Sequence, residues 1–152
     1  MRLLIQRVKH AKVSIAGEEI GRIDHGLCLF LGIAKGDNAH DVIYLTEKVI
    51  DLRIFEDESG KLNQSLRERK GEILVVSEFT LCGDCSKGRR PSFSLAAPPQ
   101  EAERFYRYFV HRLEESGGIK IATGQFQARM EVTIVNDGPV TFILDSRKTG
   151  LP

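Results

Sequence analysis

With 152 residues, 41% hydrophobic and 28% charged, the chain has the size and composition of one ordinary soluble domain; no metal or disulfide is needed to hold it together. Lys and Arg number 22 against 21 acids, a net charge of +1, which excludes the basic excess of a protein that grips a long duplex. No apolar run approaches the ~20 residues of a membrane helix, and the N-terminus turns charged too soon, at Arg2 and Arg7, for a secretory leader.

Three cysteines, an odd number, argue against a disulfide scaffold and fit a reducing cytosol. The expectation is a single domain over 1–152, cytoplasmic, with neither membrane nor DNA as a partner.

Leu3 to Ile15 reads as a strand, Gly17 as a turn, and Glu19 to Ile23 as a short returning strand. Leu27 to Ile33 is almost continuously apolar, the pattern of a strand covered on both faces. Asn38 is a good N-cap with Asp41 three residues on, and Val42, Leu45, Val49 and Leu52 recur at helical spacing, so a helix is predicted over 38–52. Arg53 to Glu56 reads as a short strand and 61–71 as polar loop or a helical turn. Ile73 to Val76 is a second buried strand running into Ser77-Glu78-Phe79-Thr80-Leu81, and 82–97 form a long loop.

Pro99 opens a second helix with Ala102, Phe105, Phe109 and Leu113 on its buried stripe, ended by Gly117-Gly118. Two β-rich runs, 126–135 and 139–145, flank Asn136-Asp137-Gly138-Pro139, which reads from its residues as an ordinary hairpin turn. Seven or eight strands and two main helices make a mixed α/β domain, rich in β.

Four segments offer chemistry. Ser77 to Leu81 places two hydroxyls at the end of a buried strand, where side chains can face a crevice; the same residues also suit a plain strand end with its hydroxyls on nearby backbone. No histidine lies nearby to activate a hydroxyl, so a serine-hydrolase triad is not indicated. Lys87, Arg89 and Arg90 before Phe93 suit phosphate and a stacked base, or a merely solvated loop. Asn136 to Pro139 is the third. Cys82-Gly83-Asp84-Cys85 is one CxxC with no second pair, and the four histidines are scattered. Zinc and thiol-redox readings therefore stand as minor rivals, and neither metal nor cofactor is expected.

In order, Ser-Glu-Phe-Thr-Leu, Lys-Gly-x-Arg-Pro-Ser-Phe and Asn-x-Gly-Pro-Val-Thr, preceded by Gln6-Arg7-Val8, resemble the bacterial and eukaryotic type of D-aminoacyl-tRNA deacylase over essentially the whole chain. The resemblance implies a three-layer α/β fold, a homodimer with its site at the interface, and hydrolysis of the ester joining a D-amino acid, or glycine, to the 3′-terminal adenosine of tRNA, with rejection of L-aminoacyl-tRNA. It implies that Ser77, Glu78, Phe79, Thr80 and Leu81 line the ester site, with Thr80 the nearest thing to a catalytic side chain.

A cis Gly138-Pro139 from the partner subunit, in the segment begun by Asn136, would cap that site as a chiral gate braced by Arg7. Phe93, Arg90 and Lys87 would hold the tRNA 3′ end. The family pattern has Gln where this chain has Glu78; an ionised Glu accepts hydrogen bonds but cannot donate them. A non-catalytic tRNA-end binding module on the same fold is the main rival.

Overall fold

The computed structural model describes residues 1–147. A long strand β1 (Arg2–Ile15) is the spine of the sheet. Its first half pairs antiparallel with β3 (Gly26–Gly32), its second half with β2 (Glu18–Ile23), and nearly its whole length with β8 (Glu131–Asp145). Beyond β3 lie β6 (Glu72–Ser77) and β7 (Ile121–Thr123), both added in parallel. A small hairpin, β4 (Phe55–Glu56) with β5 (Leu62–Gln64), stands apart.

Two faces of the sheet are dry because its strands are apolar in both directions. Leu27, Leu29 and Leu31 of β3, with Ile73 and Val75 of β6, pack under α1 (Ala39–Asp51) and α3 (Pro99–Glu115). The alternate residues Cys28, Leu74 and Val76 face Val8, Ala11, Val13 and Ile23, where the distal half of β1 and its neighbours curl across the opposite face. This gives helices, sheet and curled sheet as three layers, and it accounts for the unbroken apolar run at 27–31.

The helices form where their caps and stripes predict. Asn38 and Asp41 make a reciprocal capping box, Val42, Leu45 and Val49 are buried, and α3 begins at Pro99 with Phe109 and Leu113 buried. Tyr106 of α3 donates its hydroxyl to the Val75 carbonyl at 2.9 Å, and burial pushes its pKa up to about 12.

Four expectations need correction. The stretch 61–71 holds both β5 and a single helical turn, α2 (Leu66–Arg69), capped by Ser65 and Glu68. Only Phe55–Glu56 of the 53–56 run pairs as strand. The strand expected from 126 begins at Glu131, after a turn in which Ala128 N–H meets Gln125 O, while the short β7 went unforeseen.

The hairpin expected at 136–139 does not form: β8 runs straight through it. β1 lies alongside as a template for both halves, pairing Val8 with Asn136 and Gln6 with Thr141, so 137–140 swell out as a bulge opposite Arg7.

Candidate active site

β6 ends at Ser77, which is level with Leu31 of β3. Glu78 N–H still donates to Leu31 O at 2.8 Å; then the chain leaves the sheet in a 3-10 turn, Phe79–Cys82, with Leu81 N–H on Glu78 O and Gly83 N–H on Thr80 O. The turn sits hard against the end of β3. A Cβ at Gly32 would lie 2.9 Å from Leu81 Cβ and 3.0 Å from Glu78 O, so glycine is required there. From β1, Arg2 donates to the Leu81 carbonyl at 3.0 Å while its Nε pairs with Asp145 at 3.1 Å. Neither Gly32 nor Arg2 was singled out from sequence; a glycine ending an apolar strand was the one available signal.

On this turn Ser77 and Glu78 are half-buried, Leu81 is half-buried, and Phe79 and Thr80 are exposed. The Thr80 hydroxyl donates to the Glu78 carboxylate. A plain strand end would put that hydroxyl on nearby backbone; the turn instead supplies a side-chain carboxylate from two residues away. The Phe79 ring meets Phe93 edge to face, with centroids 5.0 Å apart, and both rings remain accessible.

Phe93 follows a loop closed by paired backbone bonds between Asp84 and Ser92 at 2.8 and 2.9 Å. Lys87, Arg89 and Arg90 project from it, exposed and without an acidic partner among the described residues. Turn, aromatic pair and cationic loop thus share one ledge.

The Gly138-Pro139 bond is cis. Arg7, 4% exposed, fills the bulge behind it: Nε donates to Asp137 O at 3.2 Å and lies 3.2 Å from the Asp137 carboxylate, Nη1 donates to Ile54 O at 2.9 Å, and Nη2 reaches Glu56 at 3.4 Å. Gly138 has φ +119°, and a Cβ there would lie 3.2 Å from Arg7 Nη2 and 3.0 Å from Val140 Cγ2. Asn136, Gly138 and Pro139 are all exposed.

Within one chain this segment is remote from Thr80. Gly138 stands opposite Arg7, which is level with Leu27 and Ile73, whereas the turn begins beyond Ser77, level with Leu31 and Leu3. Several residues along the strands and three strand spacings across separate them, on the order of 15–20 Å.

The CxxC gathers no companions. Cys82 is buried, its thiol pushed up by burial; Cys85 is exposed; and among the described residues no cluster of His, Cys, Asp or Glu is placed to hold a metal. Cys28 lies in the core, its pKa raised to about 12 by burial. No helix of the described residues is long and apolar enough to cross a membrane.

Fold and ledge define the class: a three-layer α/β domain with a surface site at the end of a central parallel strand. Solved structures share the fold. One titled "c-Myc DNA Unwinding Element Binding Protein" superposes with a TM-score of 0.90 at 42% identity, covering 95% of this chain and 98% of that one. One titled as a probable eukaryotic D-amino acid tRNA deacylase has a TM-score of 0.81 at 17% identity over 94% of this chain and 97% of that one, and shows the shared fold alone.

The family model for D-Tyr-tRNA(Tyr) deacylase matches residues 4–145. D-aminoacyl-tRNA deacylases of Geobacter metallireducens and Thermosipho africanus are 57% and 54% identical over 148 residues, 97% of this chain and 97% and 99% of theirs. The chain belongs to the D-aminoacyl-tRNA deacylase family.

Proposed function

We propose that this protein is a cytoplasmic enzyme that hydrolyses the ester between a D-amino acid, or glycine, and the 3′-terminal adenosine of tRNA, and that it rejects L-aminoacyl-tRNA. The observation that carries the reading is the ledge: the strand-end turn of Ser77 to Leu81 presents Thr80 beside two accessible aromatic rings and three cations without acidic partners. Ester, adenine and phosphate each find matching chemistry there, in a chain whose relatives bear the deacylase name. The cations at the ledge come from one short loop, and with a net charge of +1 they suit an RNA terminus better than extended DNA.

An aminoacyl ester is already activated, so positioning and charge stabilisation suffice. Water attacks the carbonyl carbon, and backbone N–H groups at the start of the turn, ahead of its first internal bond, receive the developing oxyanion. The C–O bond to the ribose then breaks and the 3′-oxygen takes up a proton. Thr80 positions groups rather than forming an acyl-enzyme, and the adenosine 2′-hydroxyl assists in orienting the water. Phe93, Arg90 and Lys87 hold the terminal nucleotide.

The chiral gate is Gly138-Pro139 of a second copy. The separation of Gly138 from Thr80 within one chain supports a homodimer in which each site takes its turn from one subunit and its gate from the other. The gate discriminates by crowding the direction an L side chain takes, so it needs a segment held still, as Arg7 holds this one. Glycine has no side chain to exclude and passes.

Deacylation of matched D-tyrosyl-, L-tyrosyl- and glycyl-tRNA tests the reading. The D and glycyl esters are cleaved and the L ester survives; an enzyme that binds all three and cleaves none is a tRNA-end binding module, and the proposal fails.

A further inference from the structure

Glu78 is the one ionisable residue of the turn, and the reaction as described does not use it. It is half-buried, one of its oxygens accepts the Thr80 hydroxyl, and among the described residues no cation pairs with it. Several other shielded carboxylates of the molecule are matched by cations, and the half-buried Asp41 and Asp57 instead accept hydrogen bonds from N–H donors, Asn38 N–H and Ser59 N–H among them. Asp37 holds the Met1 ammonium and Arg147, Glu72 holds Lys120, and Asp145 holds Arg2. Arg2 is the cation bonded to the turn, and it is committed to Leu81 O and Asp145. A partly desolvated carboxylate beside exposed aromatic rings, without a counter-ion of its own, is electrostatically incomplete.

The Thr80 bond sharpens the chemistry. Thr80 has one hydroxyl proton, and it points to Glu78, so Thr80 Oγ1 turns only lone pairs to the ledge. The free Glu78 oxygen is likewise an acceptor. The two side chains therefore offer a negative, acceptor-only surface at the ester site. It repels a developing oxyanion, which must point instead toward backbone N–H groups, and it matches a compact cation with several protons to give. The substrate carries one such group, the α-ammonium on the carbon next to the ester carbonyl.

We propose that Glu78 and Thr80 together receive the α-ammonium of the aminoacyl ester, making the free amino group a specificity determinant of this enzyme. The inference rests on the deacylase reading of the ledge. The Gln of the family pattern carries no charge and can present its amide either way, so position 78 gives this chain a stronger demand for a charged α-amino group. The ammonium is held against acceptors on one side of Cα, which fixes the direction in which the side chain must leave and presents it to the gate.

The test uses two esters on the same tRNA, D-phenylalanyl-tRNA and D-phenyllactyl-tRNA, which differ in an ammonium against a neutral hydroxyl. Wild type should prefer the ammonium ester in kcat/KM by about 10–100-fold, the worth of one charge-assisted contact. In Glu78→Gln, nearly isosteric and neutral, the preference should shrink to within about threefold of unity, the rate on the ammonium ester falling more than that on the hydroxy ester. An unchanged preference in Glu78→Gln, or equal loss on both esters, overturns the proposal and leaves Glu78 as a support for Thr80 alone. Failure of wild type to cleave either ester would instead sink the deacylase reading itself.

Discussion

The turn at Ser77 to Leu81 and the bulge at Asn136 to Thr141 are two departures from a regular strand, secured in opposite ways. The turn is clamped from outside: Gly32 lets it settle on β3 and Arg2 latches its last carbonyl. The bulge is filled from inside, by a buried guanidinium that reaches Ile54 O, Asp137 and Glu56. The first arrangement leaves the turn's side chains free to face outward; the second immobilises backbone. That difference suits the first to bind and orient and the second to exclude. Within one chain they stand at different levels of the sheet.

The largest expected effect is on the turn. Thr80→Ala should lower kcat/KM on D-tyrosyl-tRNA by about 10–10³-fold, the cost of one orienting group, with the denaturation midpoint nearly unchanged because Thr80 is exposed. A trapped Thr80 acyl adduct in the wild type would break the comparison by making the turn a nucleophile.

On the bulge, Arg7→Ala should cost both activity and about 2–3 kcal/mol of stability by urea unfolding, since it strands the Ile54 carbonyl and empties the space behind Gly138. Full stability with lost activity would show that the bulge needs no internal support. Gly32→Val should cost about 1–3 kcal/mol by forcing the turn away from β3, and should depress turnover through the same displacement. Tyr106→Phe lies on neither region; losing its bond to Val75 O should cost about 1 kcal/mol and leave turnover untouched.

What the sequence made legible follows the same division. Elements set by local patterns emerge where periodicity and caps put them, as with Asn38 and Asp41 at α1 and the doubly apolar β3. The turn's residues stood out as candidates because they end such a strand, but only the family resemblance favoured a site over a plain strand end. What was hidden depends on partners distant in the chain. The 136–139 stretch carries a strong hairpin signal, yet β1 overrides it by pairing with both flanks, and nothing local announces that Arg7 will stand opposite. The short β7 is likewise a strand because β6 is beside it.

The central claim is that each active site joins the turn of one subunit to the gate of the other. Subunits carrying Thr80→Ala and Gly138→Ala, with different C-terminal tags, can be co-expressed and the mixed dimer isolated on both tags. If the site is shared, one of its two sites carries both substitutions and the other carries neither. The mixed dimer should then recover about half of the wild-type deacylation rate while each parent dimer stays low. A mixed dimer no more active than the mean of its parents would contradict the account.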